Sequence, residues 1–358
     1  MNKLETDLLS YLGQNPLAPN VELAARLGVS RENVAKLIQR LRKEGHLEGV
    51  SAQVNYSRVG LEMVACLLRC DADDWPFLEK MCLVHPYTRY RIRCLGPFHG
   101  LFTLFAIPPG CLSLLMELFE TFVDQRRLEG YDLHIPIANL ASSETDFRRY
   151  TSDRGWIFDW RSWEESWDRR PPGLATPLPS IHNRLDNGDM RILRKISADI
   201  LRTQTEIAKD AEVTESKVSR RISMYQDEGV ISGYRVLVGP FLTGLASAVL
   251  FRCRSNLVVV KRIAAALPKV PFQCTLLPET QGFILYATLP STDIPIVTGI
   301  LKRNCPTVET FWCDYVSSYR WALNNEPFRD GNWRNDYDFM VRGVLRNLET
   351  QPLITEKN

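Results

Sequence analysis

Several signatures of common protein chemistries are missing from this sequence. Nine cysteines are scattered at positions 66, 70, 82, 94, 111, 253, 274, 305 and 313, and no two of them form a CxxC. The usual zinc-knuckle and redox motifs are therefore absent. Cys66 and Cys70 lie in an apolar stretch and read as core thiols. No metal, disulfide or cofactor is expected. No apolar run approaches the ~20 residues of a spanning helix, and the opening residues MNKLETD contain no signal-peptide core. A cytoplasmic protein that makes no membrane contact is expected. Surplus charge is also scarce, because 44 basic residues face 42 acidic ones and leave a net +2. Affinity for a polyanion would have to come from local patches.

What is present is a soluble composition, 45% hydrophobic and 24% charged, in 358 residues. That length accommodates two to four domains. The strongest internal signal is a repeat. Val21 to Glu44, VELAARLGVSRENVAKLIQRLRKE, lies without a gap on Thr205 to Glu228, TEIAKDAEVTESKVSRRISMYQDE, at a shift of 184 positions. Ala24 falls on Ala208, Val29 on Val213, Ser30 on Thr214, Val34 on Val218 and Ile38 on Ile222. A period of half the chain indicates a duplicated domain pair, not a short-period solenoid.

Each copy reads as a helix-turn-helix. A short helix ends at Gly28, a residue suited to positive φ, and Ser30 is placed to cap the next helix. Along that helix Val34, Leu37, Ile38 and Leu41 form an apolar stripe at helical spacing. The other face carries Ser30, Arg31, Asn33, Lys36, Gln39 and Arg40; in the second copy the matching face carries Thr214, Ser216, Lys217, Ser219 and Arg220. Such residues neutralise phosphate and hydrogen-bond base edges in a major groove. The plainer alternative is a solvated helix of an ordinary bundle, but the doubled pattern favours double-stranded DNA. Arg31 to Lys43 holds five basic residues against one acid and Thr214 to Gln226 three against one, so the first module is the stronger electrostatic anchor. The residues His46 to Asn55 read as the short strands of a wing.

Beyond each module the periodicity changes. Met63–Cys70, Thr88–Cys94, Leu101–Ile107 and Gly130–Ala138 read as strands, and Trp75–His85 and Cys111–Val123 as helices, in the order βαββαβ of split ferredoxin-like sheets. The second half repeats the plan from Ser247 to Val316, with Gly282 matching Gly100. The expected fold class is α+β: two winged helix-turn-helix domains and two ferredoxin-like βαββαβ domains in tandem. The expected boundaries are 1–55 and 56–141 for the first pair, 142–181 for a Trp-rich extension and Pro-rich linker, 182–240 and 241–322 for the second pair, and 323–358 for a C-terminal extension. Trp156, Trp160, Trp163 and Trp167 recur at helical spacing. Acidic residues interleave with them, which favours packing over stacking on single-stranded nucleic acid.

The motif Leu23-Ala-Ala-Arg-Leu-Gly-Val-Ser30, the helix Asn33 to Arg42 and the exit Glu44-Gly-His-Leu-Glu-Gly49 resemble the Lrp/AsnC family of transcription regulators, and they recur at Val213–Ile222 and Glu228–Tyr234. That resemblance implies a DNA-binding regulator without enzymatic activity, whose sheet domains pair and often hold a small-molecule effector. Here it implies a homodimer or, with two modules per chain, an intramolecular pseudo-dimer. The two heads differ, which favours an asymmetric DNA site. The resemblance places an effector loop at Gly96, His99 and Gly100 and at Gly282. Neither turn reproduces the acidic residue typical after the family's glycine.

Two other functions remain open. Siroheme decarboxylases share this fold, and His99 with Arg89, Arg91 and Arg93 could mimic a tetrapyrrole site. On the plainer reading these arginines are the wet face of an alternating strand and His99 is a turn residue. The second copy has Gln281 before Gly282 and no histidine there. The third reading is a protein-interaction module with one vestigial helix-turn-helix.

Overall fold

Helix starts follow the capping residues that the sequence offers. Asn2 and Glu5 form a capping box at the first helix, and Thr203 and Glu206 form another. Ser30 and Thr214 accept from the N–H groups of Asn33 and Lys217, each at 3.2 Å. The computed structural model describes residues 1–151, 153–239 and 247–350. Residue 152 of the expected Trp-rich extension, the last residue of the second expected winged helix-turn-helix (240), the first residues of the second expected sheet domain (241–246) and the end of the C-terminal extension (351–358) lie outside the described residues.

In chain order the first elements are α1 (Lys3–Gln14), α2 (Asn20–Leu27), α3 (Arg31–Lys43), β1 (Leu47–Val54), β2 (Glu62–Arg69) and α4 (Trp75–Val84). There follow β3 (Thr88–Leu95), β4 (His99–Ile107), α5 (Leu112–Asp124), β5 (Gly130–His134), β6 (Ala141–Ser143), β7 (Tyr150–Thr151), β8 (Gly155–Trp156) and α6 (Trp160–Glu165). The second half contains α7 (Asn187–Ala198), α8 (Gln204–Ala211), α9 (Glu215–Asp227), β9 (Ile231–Val238), β10 (Ser247–Arg254) and α10 (Leu257–Ala266). It closes with β11 (Cys274–Glu279), β12 (Gly282–Leu289), α11 (Ile294–Asn304), β13 (Thr307–Arg320), β14 (Phe328–Arg329), β15 (Asn332–Trp333) and α12 (Gly343–Thr350). The fold is α+β, with an N-terminal helix-turn-helix and a ferredoxin-like sheet.

The chain divides into two compact units, and the first comprises Met1–Val54, Ile137–Thr176 and Lys195–Thr310. In it α1 to α3 enclose Leu8, Leu9, Leu12, Leu23, Val34, Leu37 and Leu41, all buried. Gly28 ends α2 at φ 67°, and Glu212 occupies the corresponding place after α8 at φ 53°. The expected wing takes a different form: among the described residues neither module has a strand hairpin of its own. Instead β1 pairs antiparallel with β9, since an unpaired edge would waste its N–H and C=O groups. The register has internal symmetry. Ser51 faces Arg235, 184 positions away; the Val50–Val236 pair becomes the Ala52–Tyr234 pair under the same shift, and Gly49–Leu237 becomes Gln53–Gly233. The ribbon is thus related to itself by a local two-fold axis through Ser51 and Arg235.

The same unit contains the sheet β10-β12-β11-β6, all antiparallel, with α10 and α11 packed on its buried side chains. Trp160 and Trp163 lie 5% exposed in this core. Trp160 stacks on Phe272 at 5.8 Å and donates from its indole N–H to Asp293, while Trp163 donates to the Ala266 carbonyl. The tryptophans pack, as the interleaved acids suggested. Their helix is shorter than the spacing implied: Trp156 is in β8 and Trp167 follows the end of α6.

The second unit comprises Asn55–Pro136, Pro177–Arg194 and Phe311–Asn358. Its antiparallel strands follow the order β5-β2-β4-β3, and the later part of β13 joins β3 with Trp312 opposite Leu95. Gly100 sits opposite Arg69, where a Cβ would stand 1.9 Å from the Leu68 carbonyl oxygen. Only glycine permits that approach. The arginines of β3 are not a wet face, contrary to the plainer expectation. Arg89 and Arg91 are 3% and 8% exposed. Glu79 on α4 draws two of the three inward, binding Arg91 at 2.8 Å and Arg93 through both carboxylate oxygens at 2.8 and 2.9 Å. The C-terminal extension packs here as well: Trp333 is 8% exposed and donates to the Val59 carbonyl.

Candidate nucleic-acid interface

The face expected to meet DNA on α3 is open to solvent. Ser30, Arg31, Asn33, Lys36, Gln39 and Arg40 are exposed, while Val34, Leu37 and Leu41 between them are buried. The helical period that buries the apolar stripe therefore turns the polar set outward. The cations are not equivalent. The Arg40 guanidinium is held by Glu5 and lies 4.0 Å from Glu44. Arg42 binds Asp199 at 2.7 Å. Among the described residues no acid pairs with Arg31, Lys36 or Lys43. Those three are the uncommitted cations of α3.

On α9, Thr214, Ser216, Ser219 and Arg220 are exposed and Lys217 is half-buried. Val218, Ile222 and Tyr225 form the buried stripe. Nearby, Lys195 on α7 and Arg202 just before α8 both bind Asp210, at 3.3 and 2.9 Å. These two bonds hold the exposed Asp210 carboxyl below its ordinary pKa.

A winged helix-turn-helix DNA-binding family model matches residues 1–47. An uncharacterized HTH-type transcriptional regulator of Pyrococcus horikoshii is 31% identical over 140 residues, which span 33% of this chain and 89% of that protein. The chain belongs to the winged helix-turn-helix family of that regulator. Over its whole length its fold is also similar to the crystal structure of the siroheme decarboxylase NirDL, at a TM-score of 0.56 and 12% identity, covering 96% of this chain and 98% of that one. A second NirDL structure, in complex with an iron-uroporphyrin III analogue, matches at the same score and covers 99% of its chain.

In this winged helix-turn-helix protein the remaining expected site residues have structural placements. Gly96, His99 and Gly100 make the β3–β4 turn, where the Gly96 N–H donates to the Phe98 carbonyl at 3.2 Å. The His99 side chain is exposed, and its carbonyl accepts from Cys70. Gly282 starts β12 at φ 148°, where a Cβ would meet the Cys253 carbonyl oxygen at 1.9 Å. Close backbone approach accounts for both strand glycines without any ligand. No group of three or more His, Cys, Asp or Glu able to hold a metal occurs among the described residues, nor does a helix long and apolar enough to cross a membrane.

Asp199 was not singled out by sequence reasoning. Its Oδ1 accepts from the N–H groups of Val50 and Leu201, each at 3.0 Å, and its Oδ2 binds Arg42. The carboxylate ties the end of α3 and the start of the β1–β9 ribbon to the end of α7. The 184-residue shift gives no hint of it, because the matching residue is Asn15.

Proposed function

We propose that this chain is a sequence-specific, DNA-binding transcription regulator of Lrp/AsnC type, with no catalytic step of its own. Its two helix-turn-helix modules act as an intramolecular pseudo-dimer that arose by tandem duplication, along the six segments given above. The reading rests on the solvent-facing Arg31, Asn33, Lys36 and Gln39 on α3 and Ser216, Ser219 and Arg220 on α9, in modules joined through the self-symmetric β1–β9 ribbon. Arg31 and Lys36 contact phosphates, and Asn33 and Gln39 read base edges. Arg40 positions α3 through Glu5. Selection of bound fragments from genomic DNA, followed by sequencing, tests the reading. It should return a recurring site with two unlike half-sites, and recovery of no enriched sequence would count against it.

A second reading has one observation behind it, the whole-chain fold likeness to NirDL. On that reading the chain would bind a siroheme-class tetrapyrrole and decarboxylate it. Most of the β3 candidates favour the regulator: Glu79 neutralises Arg91 and Arg93, and His99 stands exposed in its turn, while Arg89 alone lacks a carboxylate partner among the described residues. Adding siroheme separates the two readings, because a bound Soret band and release of carbon dioxide would establish the enzyme.

A further inference from the structure

Arg89 is a buried cation without a counter-charge. It is 3% exposed, and among the described residues its guanidinium makes a single hydrogen bond, from Nη1 to the Ala322 carbonyl at 3.1 Å, with the Tyr56 ring 5.6 Å from the guanidinium carbon. Nε and Nη2 are buried and have no partner. Burial lowers the Arg89 pKa, and no carboxylate offsets it. Buried donors are nearly always satisfied, so an orphaned guanidinium edge calls for an explanation.

The orphaned atoms are not an arbitrary pair. Nε and Nη2 form the side-on edge of the guanidinium, which offers two parallel N–H groups at the spacing of a carboxylate. This chain uses that edge repeatedly. Arg93 grips Glu79 with it at 2.8 and 2.9 Å, Arg235 grips Glu144 at 2.8 and 2.7 Å, and Arg148 grips Asp146 at 2.8 and 3.0 Å. At Arg89 the same edge is presented and the acid is missing.

Two neighbours strengthen the pattern. His85 is 3% exposed, and its Nδ1 accepts from the Tyr87 N–H at 3.3 Å. Nδ1 is therefore unprotonated and the neutral ring carries its proton on Nε2, which is a further buried donor without an acceptor. Thr88 Oγ1 is likewise buried and unpartnered. The ladder between β3 and β4 slips between Thr88 and Tyr90, which places Arg89 at a bulge. Bulges re-aim side chains and gather beside functional sites. The aromatic rings of Tyr87 and Phe105 lie 6.2 and 5.0 Å from His85. The chain after β13 covers the segment: Trp321 N–H donates to the Arg89 carbonyl, and in the C-terminal extension the Arg334 carbonyl accepts from Tyr87 Oη at 2.5 Å.

We propose that Arg89, with His85 beside it, forms a binding site for a small organic carboxylate that the C-terminal extension encloses. The acid accepts from Nε and Nη2 of Arg89, and its apolar body lies against the neighbouring aromatic side chains. The site uses no residue of the β3–β4 turn or of the DNA-facing helices, so binding there does not depend on the regulator reading.

The test follows thermal unfolding of the full chain during titration with two pairs of probes, propionate against propionamide and benzoate against benzamide. At least one acid should raise the midpoint saturably, and its amide should not. Arg89→Met replaces the cation by an apolar chain of similar length and should abolish the response. Arg89→Lys keeps the charge but loses the two-pronged edge, and should weaken binding about tenfold or more. Three results would overturn the site: no response to either acid, equal responses to acid and amide, or an acid response that persists in Arg89→Met. Should the Met variant not fold, the acid–amide contrast in the natural chain and the Lys variant decide the matter. An equal rise with inorganic phosphate in the natural chain and in Arg89→Lys means an adventitious ion only, and rejects the proposal.

Discussion

Replacing Asp199 by alanine should loosen the first unit far more than an ordinary surface change. Its side chain is 18% exposed, one oxygen serves two backbone N–H groups at 3.0 Å, and the other serves Arg42 at 2.7 Å. A hydrogen bond to a charged acceptor is worth about 1.5–3 kcal/mol, and orphaning a buried N–H such as that of Val50 costs a similar amount. The Arg42 pair is half in water and adds at most about 1 kcal/mol. Partial replacement by water on the Leu201 side reduces the sum, leaving an expected loss of about 3 kcal/mol for Asp199→Ala. Asp199→Asn retains an oxygen for the two N–H groups and loses only the charge, for about 1 kcal/mol. Urea unfolding monitored by circular dichroism measures both variants, with an unchanged m-value as the sign that stability alone has moved. The reasoning fails if Asp199→Ala costs under about 1 kcal/mol, or if the two variants lose equal stability.

The remaining predictions concern charge, backbone and pH. Arg31→Ala with Lys36→Ala removes two phosphate contacts, so the slope of log K against log salt should fall by about 1.8, with a loss of roughly 60-fold in affinity at 0.1 M salt. Fluorescence anisotropy on a selected duplex reads both; Lys217→Ala with Arg220→Ala should do less. Glu212 holds a left-handed conformation at φ 53° where the first module has Gly28, so Glu212→Gly should raise unfolding stability by about 1 kcal/mol; a decrease would contradict the strain argument. Burial lowers the pKa of His85 from 6.5 to about 3. Between those values the unfolded chain binds the proton and the folded one does not, so stability should fall as pH drops from 6.5 toward 3. A His85→Phe variant should lose less stability over that window, measured by urea unfolding at each pH.

The elements proved legible wherever period and cap chemistry agree. Ser30 and Thr214 cap the helices to which their spacing assigned them, and the outward set on α3 follows from the buried stripe of Val34, Leu37 and Leu41. Partner choice was less legible. A strand after each recognition helix gives no local sign of whether it will fold on itself or on its distant counterpart, and β1 pairs with β9 through a contact about half the chain away. The same limit hid Glu79. Thr88 to Cys94 alternates as a half-wet strand would, yet a single acid on α4 draws Arg91 and Arg93 inward. Long-range ion pairs such as Arg40–Glu5 and Arg42–Asp199 likewise leave no periodic trace. They divide the basic residues of α3 into free and committed, which the count of charges could not do.

Hydroxyl-radical footprinting of one chain on a selected duplex addresses the central claim most directly. The account expects two protected stretches about one helical turn apart, ~10 base pairs centre to centre, with the stronger protection under the half bearing α3 and its loss in the Arg31→Ala, Lys36→Ala variant. A single protected stretch, or no protection on any selected duplex at low salt, would contradict it.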